Sequence, residues 1–149
     1  MKKLVLLLLF TVMAVGCKTQ SSAIKKDSEK ISFEYEAITR GKYNKIIVKQ
    51  DTVITIKDRE MKDVVTRSLP KSDWNDLLES VGKVNLDKLS TLEAPSKKHQ
   101  FDGAPLANLK IIRGEKTYQT VTFDHGNPPA EIKEVVTKLL SVSDLNKKK

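Results

Sequence analysis

Apolar side chains in this sequence recur with two different periods, and the order of those periods restricts the fold more than any other feature. Phe33, Tyr35 and Ala37 alternate with Glu34 and Glu36, a pattern typical of a strand with one buried face. Three more segments rich in β-branched residues follow at short intervals: 46–48, 53–56 and 61–67. Short turns connect antiparallel strands, so the four segments predict a meander.

Two later segments repeat their apolar residues every three or four positions, as one face of an α-helix does. The first has Ser72 as a candidate N-cap and Gly82 as a candidate end. Its apolar residues are Trp74, Leu77, Leu78 and Val81. The second has Asn127 as a candidate N-cap, followed by Pro128 and Pro129. Its apolar residues are Ile132, Val135, Val136, Leu139 and Leu140.

Between the helices, residues 94–105 are expected to be a loop, and a hairpin is expected from strands at 106–113 and 117–123. We prefer a register in which paired residue numbers sum to 230, because it keeps one face of the hairpin nearly apolar. In that register Ala107 lies opposite Phe123. A two-residue turn would mix the two faces.

The resulting order is ββββ-α-ββ-α. Helices that are separate in sequence from a mostly antiparallel sheet pack on one of its faces, so we expect an α+β fold, a two-layer sandwich. Residues 31–143 are long enough for one such domain with its own core. Residues 144–149, which end in three lysines, are expected to be a basic, frayed tail.

The N-terminus differs in character from the rest of the chain. Lys2 and Lys3 precede a run of twelve residues, 4–15, in which Thr11 is the only polar one. A helix of that length spans roughly 18 Å, which is too short for the roughly 30 Å hydrocarbon core of a bilayer. Residues 1–16 are therefore expected to be a signal peptide for export.

Residues 14–17, with the sequence AVGC, resemble the lipobox of bacterial lipoprotein precursors, although Ala14 stands where Leu is usual. The resemblance implies cleavage before Cys17 and acylation of that residue, such as palmitate, which would anchor the chain in the cell envelope. Cys17 is the only cysteine and has no partner for an intramolecular disulfide. An acidic residue directly after the lipidated cysteine can retain a lipoprotein in the inner membrane. Lys18 stands at that position here, which favours the outer membrane as the final location. The alternative is an ordinary signal peptide with an incidental cysteine.

The residues after Cys17 are expected to be a tether. Residues 18–30 contain one large apolar side chain, Ile24, and no aromatic residue. Too little apolar surface is present to offset the cost of ordering the chain. Residues 17–30 are therefore expected to form a lipidated, disordered tether with a reach of roughly 20 Å.

The chain is basic, with a formal net charge of +8, but its charge consists mainly of lysine. Only Arg40, Arg59, Arg67 and Arg113 are arginines, and bidentate grips on phosphate favour arginine. An export signal also directs the chain away from nucleic acid. The charge therefore indicates solubility and a mild attraction to anionic headgroups or polysaccharide.

The sequence lacks the G-x-S-x-G, H-E-x-x-H, phosphate-loop and Cys-x-x-Cys motifs, and we expect no metal or cofactor. One candidate ligand site remains, because the open end of the hairpin brings the loop at 94–105 near the turn at 123–128. Its residues are His99, Asp102, Asp124, His125 and Asn127. Such polar groups near a helix N-terminus could bind a metal or an anion. Equally, Asp102 could belong to a turn, Asp124 could bond backbone amides and Asn127 could be a cap.

Residues 101–105 (FDGAP) and 123–132 (FDHGNPPAEI) also resemble stretches of small uncharacterised envelope lipoproteins of Gram-negative bacteria. This resemblance implies no activity. The leading hypothesis is a non-enzymatic binding module that contacts a protein or cell-wall partner, with the loop at 94–105 as its exposed element. One alternative is a metal-dependent or acid/base hydrolase with a site at 94–105 and 123–128. Another is a structural lipoprotein whose lysines contact peptidoglycan or anionic glycolipid.

Overall fold

An antiparallel sheet of seven strands is the frame of the protein in this computed structural model, which describes residues 22–145. The strands are β1 (Ile31–Ile38), β2 (Tyr43–Lys49), β3 (Thr52–Ile56), β4 (Val64–Ser68), β5 (Leu106–Arg113), β6 (Lys116–Gln119) and β7 (Phe123–Asp124). Their spatial order is β4-β3-β2-β1-β5-β6, and the short β7 also pairs with β5. All of these neighbours are antiparallel.

Two helices, α1 (Lys71–Gly82) and α2 (Lys133–Val142), cover one face of this sheet. Their buried residues are mainly those that the spacing predicted, and they form one core cluster with side chains of the sheet. The predicted α+β fold, a two-layer sandwich, is therefore confirmed. The single strand predicted at 117–123 is divided into β6 and β7, so the order is ββββ-α-βββ-α. Within residues 22–145, no helix is long and apolar enough to span a bilayer.

The start of each helix differs from the prediction. α1 begins at Lys71, directly after Pro70, so Ser72 lies inside the first turn and is not the N-cap. The fixed φ and extended ψ of Pro70 lead the chain into the helix without a side-chain cap. A 3-10 turn at Ala130–Ile132 precedes α2, and Asn127 does not cap either element.

The core is centred on β1, the strand that has β2 on one side and β5 on the other. Phe33, Tyr35 and Ala37 are buried beneath the helices, whereas Glu34 lies on the opposite face of the sheet. The ring of Phe33 packs edge-on against Trp74, with the ring centroids 5.8 Å apart and an interplanar angle of 77°. Trp74 is therefore a core residue, as its helical spacing predicted.

The β5–β6 hairpin has a two-residue turn at Gly114 and Glu115, contrary to the preferred register. Arg113 pairs with Lys116 next to the turn, so paired residue numbers sum to 229 there. At the open end, β7 pairs with β5 in the expected register, whose sum is 230. One extra residue between the two registers bulges the second strand. A φ of 60° at Gly114 suits the tight turn.

The N-terminal segment, which we define as residues 22–30, folds onto the domain. Residues 22–26 are helical, and Ile24 is fully buried in the core. The Arg113 guanidinium donates two hydrogen bonds to one carboxylate oxygen of Asp27, from Nε at 3.0 Å and from Nη2 at 2.6 Å. These contacts attach the segment to the end of β5.

Two predicted boundaries are corrected by such contacts. The disordered tether predicted for residues 17–30 is wrong for the N-terminal segment, because burial of Ile24 and an ion pair outweigh its polar composition. The predicted tail is not frayed at its start, because Asp144 is largely buried and its carboxylate lies 2.6 Å from Nε of Arg67. The predicted signal peptide, Cys17 and residues 146–149 lie outside the described residues.

Candidate functional site

The loop at residues 94–105 presents an exposed aromatic side chain. Its middle forms a 3-10 turn, Lys98–Phe101, which Asp102 ends in the left-handed region with a φ of 57°. The backbone N–H of Gly103 donates to the Lys98 carbonyl at 2.9 Å, so the predicted turn at Asp102 is present. Phe101 has 83% of its surface exposed.

The carboxylate of Asp124 holds this loop in place. Asp124 lies in β7 opposite Leu106, and only 2% of its surface is exposed. It accepts hydrogen bonds from the backbone N–H of Lys98 at 2.9 Å and from that of His99 at 2.7 Å. The Nδ1 atom of His99 lies 2.6 Å from the carboxylate, and the Ser96 hydroxyl donates to its other oxygen. Four donors from one loop therefore satisfy a buried charge.

These donors keep the Asp124 carboxyl group ionised. Burial acts to raise its pKa, but hydrogen bonds from Ser96, His99 and Lys98 outweigh burial and hold the pKa well below the ordinary value of 3.8. A carboxylate can only accept, so Nδ1 of His99 carries the proton in this contact. The imidazole is thereby fixed in one orientation.

Ser96, His99 and Asp124 have the residue types of a hydrolytic triad but a different connectivity. In a triad the hydroxyl bonds to the imidazole, which takes its proton. Here the Ser96 hydroxyl donates to the carboxylate and accepts from Nδ2 of Asn127 at 2.8 Å. The hydroxyl is therefore not activated as a nucleophile, although the oriented imidazole could exchange a proton with a ligand beside it.

His125 points away from Asp124 and bonds to the core residue Tyr35. Its Nδ1 atom lies 2.8 Å from the Tyr35 hydroxyl, and the two ring centroids are 5.9 Å apart. Burial raises the pKa of Tyr35 above its usual range, so the hydroxyl that bonds to the imidazole stays protonated. Burial, together with the charge of Lys42, lowers the pKa of His125.

The predicted ligand residues therefore do not form one cluster. Asp102 is exposed and lies 3.5 Å from Arg40 in a solvent-screened ion pair, while His125 faces Tyr35. In the part of the chain that the structure describes, no three His, Cys, Asp or Glu side chains are grouped to hold a metal ion. The alternative interpretation, in which Asp124 bonds backbone amides, is correct.

A cleft of about 550 Å³ lies beside this loop, between it and the connection from β1 to β2. Arg40, Arg59 and His99 line it together with the apolar side chains of Ile38 and Leu106. The sequence pattern does not connect these two arginines with the loop. Sheet pairing brings Arg40 and Arg59 close to the loop, although about forty residues or more separate them from it in the sequence. No local sequence pattern indicates that they are near each other.

The cleft belongs to a larger surface that we call the distal end, which comprises the loops at 39–42, 57–63 and 98–105 and the strand ends that adjoin them. Nη2 of Arg59 donates to the Thr39 carbonyl at 3.2 Å, which joins the first two loops. Four large apolar side chains are exposed among residues 22–145, and all lie here: Met61, Val64, Phe101 and Leu106. The distal end is therefore the candidate interaction surface.

Comparison with protein-family models, with characterised proteins and with solved structures finds no match to this chain.

Asp124→Asn is expected to loosen the loop and to lower the melting temperature by several degrees. An amide has one acceptor oxygen and would turn its own N–H groups toward the loop donors. Hydrogen exchange should accelerate at the backbone amides of Lys98 and His99, whereas Asp87→Asn, at an exposed aspartate, should change neither measurement. A zinc-dependent rise in melting temperature that His99→Ala removes would contradict this interpretation.

Lowering the pH is expected to destabilise the protein first through protonation of His125. Protonation of Asp124 is expected to add to this effect only at lower pH. The folded-state pKa of His125 lies below the unfolded value of 6.5, so the unfolding free energy falls as the pH drops below 6.5. Asp124 contributes only below its own unfolded value of 3.8. Denaturant unfolding should show a flatter pH dependence for His125→Gln, which retains a group that can bond Tyr35. Equal slopes for variant and wild type would show that His125 is not responsible.

Proposed function

We propose that this protein is a lipid-anchored lipoprotein of the bacterial envelope whose domain binds a protein partner through the distal end and catalyses no reaction. The observation that carries the proposal is Phe101, which is 83% exposed on a loop held by the buried carboxylate of Asp124. An exposed phenylalanine contributes little to the stability of the isolated domain. At an interface, the same side chain would bury its apolar surface.

The energetics of binding support a prearranged Phe101. Full burial of a phenylalanine side chain contributes about 1.5–3 kcal/mol. A loop already held by charge-assisted hydrogen bonds loses little conformational entropy on association. Met61, Arg40 and Arg59 share the distal end, and aromatic residues, methionine and arginine are enriched in protein interfaces.

The position of the proposed anchor is compatible with such a surface. β1 begins directly after the N-terminal segment and ends beside residues 39–42, and its eight residues span about 27 Å. With lipid on Cys17, the distal end would face away from the bilayer. A partner could then reach Phe101 without competing with the membrane.

The lipobox-like residues 14–17 support lipid attachment, and Lys18 favours the outer membrane. The hydrolase alternative draws on one observation, the Asp124–His99 contact beside the cleft. It requires that His99→Gln abolish an activity that Phe101→Ala leaves intact. The alternative of a structural lipoprotein bound through lysines predicts binding that weakens steeply with salt.

Cys17→Ser is expected to abolish incorporation of a fatty-acid analogue, because the thiol is the proposed attachment point, and to leave an unlipidated precursor or a soluble product. Metabolic labelling followed by membrane fractionation measures both effects. Ala14→Leu, which introduces the usual lipobox residue, should retain the label. Label on the Cys17→Ser variant would exclude the lipoprotein assignment.

A photo-crosslinking amino acid in place of Phe101 is expected to give a discrete protein adduct in intact cells, whereas the same probe in place of Asp87 should not. Adding Asp124→Asn to the first variant should reduce the adduct several-fold, because it releases the loop. His99→Gln removes only one of the four donors to Asp124, so it should reduce the adduct less than Asp124→Asn does. Equal adducts from the two probe positions, or none, would count against a binding surface at the distal end.

A further inference from the structure

We propose that the end of the domain opposite the distal end is a docking surface for anionic lipid headgroups. We call it the proximal end; it comprises the N-terminal segment, the β2–β3 turn, the start of α1 and the β5–β6 turn. This inference rests on the proposed lipidation of Cys17. It adds a second contact between the domain and the bilayer, and with that contact a defined orientation.

The length of chain between the proposed anchor and the folded domain limits where the domain can lie. Ser22 is the first described residue, and residues 22–26 are already helical with Ile24 buried. Five residue steps separate Cys17 from Ser22, and a chain of that length reaches at most about 18 Å in any conformation. This reach is shorter than the span of about 27 Å along β1. The proximal end must therefore lie at or near the headgroups.

The N-terminal segment is attached firmly enough to transmit this constraint. The ion pair of Asp27 with Arg113 joins it to β5, and the N–H of Gly114 donates to the Lys30 carbonyl at 2.9 Å. The side chain of Ile24 is inserted in the core. Residue 22 is therefore connected firmly to the domain, so a limit on its position also restricts the orientation of the whole domain.

The composition of the proximal end complements an anionic surface. Six exposed lysines lie on it: Lys25, Lys26, Lys30, Lys49, Lys71 and Lys116. None of these six belongs to the ion pairs found among residues 22–145. Together with Arg113, and against five acidic side chains (Asp27, Glu29, Asp51, Asp73 and Glu115), they leave this end with a net charge of +2. Lysines within a Debye length of an anionic leaflet are attracted to it.

The orientation can be measured on the lipidated protein in vesicles. The thioether to the lipid blocks the native thiol of Cys17, so a single introduced cysteine takes the fluorophore. Glu115→Cys places it on the proximal end and Glu60→Cys places it on the distal end; both replace an exposed glutamate. With quencher-labelled headgroups, we expect several-fold stronger quenching at position 115 than at position 60. Equal quenching, or stronger quenching at position 60, would overturn the inference.

A second arm tests the lysines. In the Glu115→Cys background, Lys25→Glu with Lys116→Glu should reduce quenching on vesicles that contain phosphatidylglycerol, and should have little effect on pure phosphatidylcholine. Lys88→Glu with Lys133→Glu makes the same charge change at exposed lysines away from this end and should change neither. If both pairs act alike, the headgroup contact is wrong. Failure of the fatty-acid label would instead overturn the proposed anchor itself, and with it the limit on reach.

Discussion

Burial of one face of β1 is the constraint on which the rest of the structure depends. The strand pairs with β2 and β5 along its length, so its alternating pattern determines which face of each neighbour is covered by helices. Phe33 packs against Trp74 of α1. The hydroxyl of Tyr35 bonds to the imidazole of His125, which lies 90 positions later in the sequence. A shift of one residue would place Glu34 and Glu36 in the core, which no polar partner there would compensate.

The buried charge of Asp124 is the second organising contact, and it differs in kind from the apolar core. It holds one loop, through two backbone amides, a hydroxyl and an imidazole. Such a contact has a defined geometry, because each donor must point at a carboxylate oxygen. The result is a loop whose exposed side chain, Phe101, is presented without support from the core, which is the basis of the proposed binding surface.

The two ends of the sheet differ in what they expose. The distal end has the exposed large apolar side chains of the described residues together with two of the four arginines. The proximal end has six exposed lysines and the point where the chain enters from the proposed anchor. Antiparallel strands separate these surfaces by the length of β1, so membrane attachment and partner binding need not compete. This arrangement follows from topology and not from any local motif.

Periodicity in the sequence determined the strands, the two helices, their order and most of the core, because burial requires only that apolar residues recur with the period of the element. It did not determine the helix caps, the registers within the β5–β6 hairpin, or the packing of residues 22–30. The polar composition of these residues predicted a disordered tether. Only the tertiary structure shows that Ile24 is buried in the core and that Asp27 pairs with Arg113. The same limit applied to the candidate site. The sequence placed His99 and Asp124 in one candidate ligand site together with Asp102 and His125. Hydrogen bonds are directional, so only the folded backbone decided which of these side chains face each other.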